Sequence, residues 1–513
     1  MSAYETQTDV DWARETAEAF ARVIGTTHVP YTTEDVGDRT FLKFEVGRNL
    51  RLYDHALRTT QKSLAEENPF RGLLGLTYRD ERRFAQSLEA EVLQTIMARE
   101  ARPIGPLSVS DLPFQNREDQ KVIQPANQLI VGRRGVGKST LIAKAARLLE
   151  SANKVCVFLN MEQYSELSGD SLYREVLRDF SRNLADKGAL SHCVPSGTFP
   201  VDLLRSFSED VAAPRTELAR AIPDLNRLIE RSCAATGSEV FLFLDDYDAL
   251  DEASQPELLD LLHGAMKGAG GWLKVAGFRT RLKPYDPGTR KGLQRPDDAQ
   301  EISLDFTLVD PETAEKHLRA ILEGFLSIVG VESIGQVIHE PAFRRLVWAN
   351  AGVPRDFLQA FGNSLKHARR AGRAKITLTD VNLSIGESGQ HKMDDMEQDA
   401  RNEKNVLKRL VGILETFCLE KSKVNAFLVR SEQSDERRAV EVLSDLRLVH
   451  LIHQTITPHR AGERYEAYLL DYSLFTGLRR RPNVKELLPA DGRQFKAKEL
   501  RKIPELPRGV LSS

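Results

Sequence analysis

Gly132, Gly137, Lys138 and Ser139 stand at the spacing G-x-x-x-x-G-K-[ST], inside the stretch "QLIVGRRGVGKSTLIAKAARLL" that runs from Gln128 to Leu149. The chemistry this spacing serves is the binding of a phosphate chain. Glycines admit backbone conformations that a side chain would block, so several N–H groups can turn toward one anion. The helix expected from Lys138 onward adds the positive end of its dipole. Lys138 supplies a mobile point charge for the β- and γ-phosphates, Ser139 offers a hydroxyl to Mg²⁺, and Thr140 lies toward the α-phosphate. The whole loop, Gly132, Arg133, Arg134, Gly135, Val136, Gly137, Lys138, Ser139 and Thr140, is the candidate ATP cradle.

A second group of residues answers the need for a metal ligand and a base. "VFLFLDDYD" is an apolar run that ends in Asp245, Asp246 and Asp248. A buried strand ending in acids places carboxylates beside a phosphate loop at the carboxyl edge of a parallel sheet. Asp245 is expected on the Mg²⁺ side, through its water shell. Asp246 is the candidate to orient or deprotonate an attacking water, with Asp248 as the alternative. Arg279 or Thr280, at the end of "VAGFRTR", could sense the γ-phosphate, or Arg279 could be a surface arginine at a strand end. In "ANAGVPRDFLQAFGNSL", Gly352 and Pro354 set a helix start, and Arg355 falls in the first turn. A cation there opposes the helix dipole, so an external anion such as a nucleotide phosphate is expected beside it.

These residues need a scaffold that the sequence also outlines. "NQLIVG", "NKVCVFLNM", "SEVFLFLDD", "GWLKVAGFR" and "AQEISLDF" read as short buried strands, most of them followed by a helical pattern. That alternation predicts a parallel sheet covered on both faces. Residues 1–110 read as a mainly helical region, with Val10, Ala13, Ala17, Phe20 and Ile24 at helical spacing and no catalytic motif. The three prolines of 100–119 mark a connector. The α/β core is expected over 111–308 and a helical lid over 309–390. A winged helix is expected over 401–478, with "RLVHLIHQTIT" and "RYEAYLLDY" as its hairpin. A basic, flexible tail follows over 479–513.

Composition sets limits. The chain has 513 residues and a formal net charge of −2, so it is no simple polycation, and any nucleic-acid contact must come from a local patch. The tail supplies one: from Leu478 to Gly509 it carries ten Lys or Arg against four Asp or Glu, a net of +6. Four dispersed cysteines, Cys156, Cys193, Cys233 and Cys418, form no CxxC pair and fit a reducing cytoplasm. There is no signal-peptide pattern at the N-terminus and no run of about 18 apolar residues, so no membrane span is expected. His450, His453 and His459 lie on and around the hairpin without cysteines or paired acids, which favours structural roles over a metal site.

The order of motifs resembles the AAA+ and STAND superfamily of ATPases, in particular the origin-recognition-like branch. The resemblance rests on "GRRGVGKST", "FLFLDDYD", "LKVAGFRT", "GVPRDFL" and the terminal winged-helix pattern, and covers about 112–475. It implies a Mg²⁺-dependent ATPase core, a helical lid and a winged helix, with the usual roles falling on Lys138, Ser139, Asp245, Asp246 and Arg355. It also implies homo-oligomeric assembly, although no trans-acting arginine finger can be placed. The second acid is Asp where many such enzymes carry Glu. Bacterial relatives of this build often appear in defence against phage or mobile elements. Two outputs are compatible with the sequence. One is ATP-dependent engagement of DNA through the winged helix, with wing residues His459, Arg460 and Arg464, and through the basic tail. The other is a signalling switch that recruits an effector protein through the winged helix without DNA.

Overall fold

The computed structural model describes residues 7–36, 39–47, 51–78, 84–99, 117–186, 215–399, 404–432, 434–457, 463–476, 484–487 and 495–510. The connector up to residue 116, Cys193, His459, Arg460 and the first arginines of the tail lie outside them. Two compact units emerge. One comprises Pro113–Phe306 together with Arg438–Arg447, and the other comprises Met1–Leu112, Thr307–Arg437 and Leu448–Ser513. No helix among the described residues is long and apolar enough to cross a membrane.

The N-terminal region departs from the helical expectation. Helix Gln7–Ile24 does bury Ala13, Ala17, Phe20 and Ile24, while Val10 is 41% exposed. It is followed, however, by β1 (Tyr31–Val36) and β2 (Arg39–Val46), an antiparallel pair, and by β3 (Leu74–Tyr78), which runs parallel to β2. The cause is the period-two pattern of β2: Leu42, Phe44 and Val46 are buried, whereas Lys43 and Glu45 alternate with them. Phe44 stacks on Phe20 with ring centroids 4.2 Å apart, which fastens the sheet to the first helix. Helix Leu88–Arg99 and the turn before it are tied to helix Pro354–Arg370 and the turn after it, in the same unit. Gln94 Nε2 donates to Gly362 O at 3.0 Å, Gln86 Nε2 to Arg373 O at 2.9 Å, and Arg369 pairs with Glu91 at 3.1 Å.

The five runs read as core strands form one parallel sheet. Its strands are β4 (Gln128–Val131), β5 (Val155–Asn160), β6 (Val240–Asp245), β7 (Gly271–Gly277) and β10 (Gln300–Ser303). They are arranged β10-β4-β7-β6-β5 and flanked by helices. The short pair β8 (Tyr285–Asp286) and β9 (Lys291–Gly292) stands apart from it. Every residue of β4 and β6 is buried, as a doubly covered parallel sheet requires. Lys274, in the middle of β7, is a fully buried charge. Its Nζ donates to Gln124 O, Ala126 O and Gln128 Oε1, each at 2.7 Å. Burial pulls its ammonium down to about 7, so three short hydrogen bonds compensate a weakly held proton.

Beyond the sheet, helix Pro311–Ile328 starts at an Asp-Pro signal, with Asp310 Oδ1 accepting the Thr313 N–H at 3.1 Å. Helices Glu340–Asn350, Pro354–Arg370, Leu378–Asp399 and Lys404–Glu415 follow. Next come β11 (Ala426–Arg430), helix Asp435–Asp445, β12 (Val449–Ile456) and β13 (Tyr465–Leu470), in an antiparallel sheet ordered β11-β13-β12. The expected hairpin is thus present as β12 and β13.

The tail is not simply flexible. Leu428 N donates to Pro504 O and Leu506 N to Leu428 O, both at 2.9 Å, so Glu505 bridges the free edge of β11. Phe495, Leu500 and Ile503 pack with Trp348, Ala426 and Leu428. Three apolar anchors among the basic residues overcome the ordering entropy that the charge pattern alone suggested would win.

Candidate phosphate-binding site

Gly132 leaves β4 where a Cβ would stand 2.8 Å from Val136 Cγ2, so only glycine fits the turn. Gly137, at φ 101°, takes the left-handed conformation that points the chain into helix Lys138–Ser151. Lys138 is 7% exposed, and its Nζ donates to Gly132 O at 2.8 Å and Arg133 O at 3.3 Å, beneath the Phe278 ring at 4.5 Å. Burial lowers its pKa, against the opposing pull of Asp248, Asp246, Asp305 and Asp245. Ser139 and Thr140 are exposed at the start of the helix. Arg134 and Gly135 are half-buried and Val136 is buried.

Arg133 has a different duty from the one expected. Its N–H and Nε donate to Asp305 Oδ1 at 2.9 and 3.2 Å, and Nη2 donates to Phe306 O at 2.9 Å. It fastens the loop to the chain that leaves β10. Its backbone N–H is therefore already taken.

At the end of β6 the three acids separate by environment. Asp245 accepts a hydrogen bond from the Ser139 hydroxyl; burial first, then neighbouring Asp246, raises its pKa. Asp246 sits at φ 51° and ψ 41°, a conformation a non-glycine residue rarely holds. Its N–H donates to Asp245 Oδ1 at 3.1 Å, while its carboxylate makes no hydrogen bond among the described residues. Asp248 instead accepts the Phe278 N–H at 3.0 Å, and Gly277 makes room for it, since a Cβ there would lie 2.9 Å from Asp248 Oδ1. Asp248 therefore braces β7 against the end of β6, a contact that Asp246 does not share.

The remaining candidates divide. Arg279 is paired with Glu301 at 2.5 Å, and the Thr280 hydroxyl donates to Asp445. Arg355 belongs to the other compact unit, exposed in the first turn of helix Pro354–Arg370, after Ala351 and Gly352 turn the chain at φ 46° and 80°. Arg464 is exposed beside the hairpin loop. His450 is buried and faces Asp471 at 2.6 Å, a structural place. Among the described residues, no group of three or more His, Cys, Asp and Glu is arranged to hold a metal. The oxygen pair of Ser139 and Asp245 suits a hard cation that keeps most of its waters and takes its other ligands from phosphate.

Sequence reasoning missed Asp305, Asp445 and Phe278. Phe278 carried a weak signal, lying next to Arg279 in a stretch already singled out. The two acids carried none, being single carboxylates far along the chain from the loop they meet.

No curated protein matches this chain. Among solved structures, the Orc1 protein of Aeropyrum pernix in complex with DNA is similar at 14% identity, over 71% of this chain and 90% of that one, with a TM-score of 0.36. Cdc6p from Pyrobaculum aerophilum is similar at 14% identity, over 72% and 93%, with a TM-score of 0.35. The RuvB Holliday junction branch migration motor of Thermotoga maritima follows at 15% identity, over 64% and 93%, with a TM-score of 0.32. Likenesses this distant say nothing of ligands or partners. Residues 122–268, the segment that carries the loop, Lys138, Ser139 and the acids of β6, match the family described as AAA ATPase domain.

Proposed function

We propose that this protein binds and hydrolyses ATP with Mg²⁺ and uses the nucleotide state to control engagement of DNA or a DNA-associated partner. The observation that carries the ATP reading is the join of Ser139 to Asp245, which brings the helix start of the phosphate loop and the acidic end of β6 to one point. Lys138, now donating to loop carbonyls, would transfer its donors to the β- and γ-phosphates. The N–H groups of the loop and helix start would hold the chain of phosphates. Ser139 and Asp245 would hold Mg²⁺, which supplies charge neutralisation on the phosphates. Asp246 would accept the proton of the attacking water.

The output rests on the C-terminal sheet. β11, helix Asp435–Asp445 and the β12–β13 hairpin fit a winged-helix module in element order. The helix such a module would present carries Asp435, Glu436, Glu441 and Asp445 against Arg437 and Arg438, and Arg437 is held by Glu466 at 3.0 Å. A groove contact through that helix is therefore disfavoured. DNA contact falls to the wing and to Lys496, Lys498, Arg501 and Lys502 of the tail. The acidity of the helix also favours the second reading, in which the module recruits an effector protein.

Two measurements test this. Lys138→Ala should abolish Mg-ATP binding, and unchanged affinity in that variant refutes the site. Duplex DNA binding titrated across salt should fall with the logarithm of salt concentration if DNA is the output. No binding at low salt leaves the effector-protein reading.

A further inference from the structure

Two short pieces of the tail lie along the free edge of β11, both parallel to it. At the start of the strand, Lys485 N donates to Lys423 O at 2.8 Å and Leu487 N to Asn425 Oδ1 at 2.7 Å. Farther along, Leu428 N donates to Pro504 O and Leu428 O accepts the Leu506 N–H. On the other edge, Asn425 O accepts the Leu470 N–H and Ser431 N donates to Arg464 O, both at 2.8 Å. Backbone groups alternate between the two sides of a strand, so Ala426, Leu428 and Arg430 turn theirs toward the tail.

The second piece is a poor strand. It makes one rung, at Leu428. The next rung back needs an N–H at position 504 for Ala426 O, and a proline has none. Its acid is shared as well. The Tyr465 hydroxyl lies 2.9 Å from Glu505 Oε2 and 3.1 Å from Glu463 Oε2, and its single proton serves one of them at a time. The hold is mainly apolar: Leu500 and Ile503 are 2% and 3% exposed, packed with Trp348, Ala426 and Leu428. β11 therefore offers a strand-accepting edge with an apolar seat beside it. At one end Arg430, stacked on Tyr465 at 5.1 Å, acts electrostatically on Glu505 and suits an acid there.

We propose that the free edge of β11 is a docking site for an extended segment of a partner protein, with a carboxylate set between apolar residues, and that Ile503–Leu506 is a resident occupant which such a segment displaces. This rests on the effector reading of the C-terminal sheet and names the chemistry of the partner; the ATP site has no part in it. Main-chain bonds supply affinity, while the apolar seat and the Arg430–Tyr465 end select the sequence. A segment with an N–H in place of Pro504 completes the rung to Ala426 that proline denies. The tether sets the threshold. A tail on its own chain competes at an effective concentration on the order of millimolar, so only a segment that gains on it in rungs or in further contacts takes the edge.

The experiment adds a fluorescent peptide of the tail's own sequence, residues 495–510, to the full-length chain without nucleotide and follows anisotropy. In wild type the tethered tail excludes the peptide. Ile503→Asp unseats the tail by putting a charge in the apolar seat, and the peptide should then bind roughly tenfold or more tighter as the vacant fraction rises. Leu506→Pro removes the donor to Leu428 O and keeps both apolar anchors. It should shift binding in the same direction, and it covers the case in which the first variant fails to fold. A peptide carrying Glu505→Lys should lose that gain. A folded variant that ignores the peptide overturns the proposal, as does equal binding of the native and Glu505→Lys peptides. A dimer in light scattering that the peptide cannot dissociate gives the edge to the tail of a second copy, and overturns it too. The effector reading itself fails on a different measurement, the salt titration of duplex DNA.

Discussion

Replacing Asp471 by Asn should destabilise the larger compact unit by about 3 kcal/mol, and the structure says why. Asp471 is fully buried and gathers four donors. Lys392 Nζ lies at 2.7 Å, His450 Nε2 at 2.6 Å and the Ser473 N–H at 3.0 Å, and the Ser473 hydroxyl also donates. These groups come from helix Leu378–Asp399, from β12 and from the turn after β13, so one carboxylate joins the helical region to the C-terminal sheet. The Lys392 ammonium beside it holds the acid well below the ordinary aspartate range. Asn preserves the shape and an acceptor oxygen but leaves the Lys392 ammonium, 7% exposed, with only the Asp356 carboxylate at 3.6 Å. Removing one partner of a buried pair costs about 3–5 kcal/mol, and the Asp356 contact puts this case at the lower end.

At about 2–4 °C per kcal/mol for a unit of 150–250 residues, and less for a larger one, the midpoint should fall by up to about 12 °C. Urea unfolding gives the free energy directly. The double variant Lys392→Met with Asp471→Asn should lose less than the two single variants together, because it buries no orphan charge. Since folding depresses the Asp471 pKa, its contribution is complete above the ordinary value of 3.8 and drains away as pH falls below it. The gap between wild type and Asp471→Asn should therefore be constant near neutrality and shrink toward pH 3. A loss under about 1 kcal/mol at pH 7, or a gap that widens in acid, refutes the account.

Three further expectations follow from the same geometry. Asp246→Asn should retain ATP yet slow its hydrolysis, whereas Asp248→Asn should loosen the Phe278 brace and show first as lost stability; wild-type turnover in Asp246→Asn means the base is misassigned. We assign Arg355 to the γ-phosphate by its place in "GVPRDFL", so Arg355→Ala should leave ADP affinity intact and lower ATP turnover, and equal losses for both nucleotides speak against that role. Ile503→Ala, at a side chain 3% exposed beside β11, should cost about 2–4 kcal/mol, and a neutral result in urea unfolding would mean that the tail is not anchored.

What the sequence made legible was whatever left a local mark. Four of the five core strands are near-continuous apolar runs ended by Gly, Asn or Asp, whereas β10, QEIS, shows only its neighbours' spacing, and the loop is fixed by four residues within eight positions. β1, "YTTEDV", has no apolar alternation of its own and is a strand only because β2 pairs with it, so the N-terminal sheet was hidden. Asp305 and Asp445 are equally silent, since a single acid carries no period and the loop each meets lies more than 150 residues earlier. The tail misled for a related reason. Its charge is visible locally, but the edge of β11 that supplies its hydrogen bonds is not.

The charges around Lys138 explain why so much of this site is carboxylate. Asp245, Asp246, Asp248 and Asp305 all act on its ammonium, and Asp445 stands close enough to feel it. Arg133 and Arg134 are the loop's other cations, and Arg133 is held by Asp305. The site is therefore acidic before any phosphate arrives, and a bare polyphosphate would be repelled from it. Two features reconcile that with a phosphate loop. The loop's attraction comes mainly from backbone N–H groups and a helix end, which bring no counter-charge of their own. The excess of acid, with Asp245 already hydrogen-bonded to Ser139, calls for a divalent cation to enter with the nucleotide. Nucleotide should thus bind as its metal complex, and affinity without a divalent cation should be lost even with every loop residue in place.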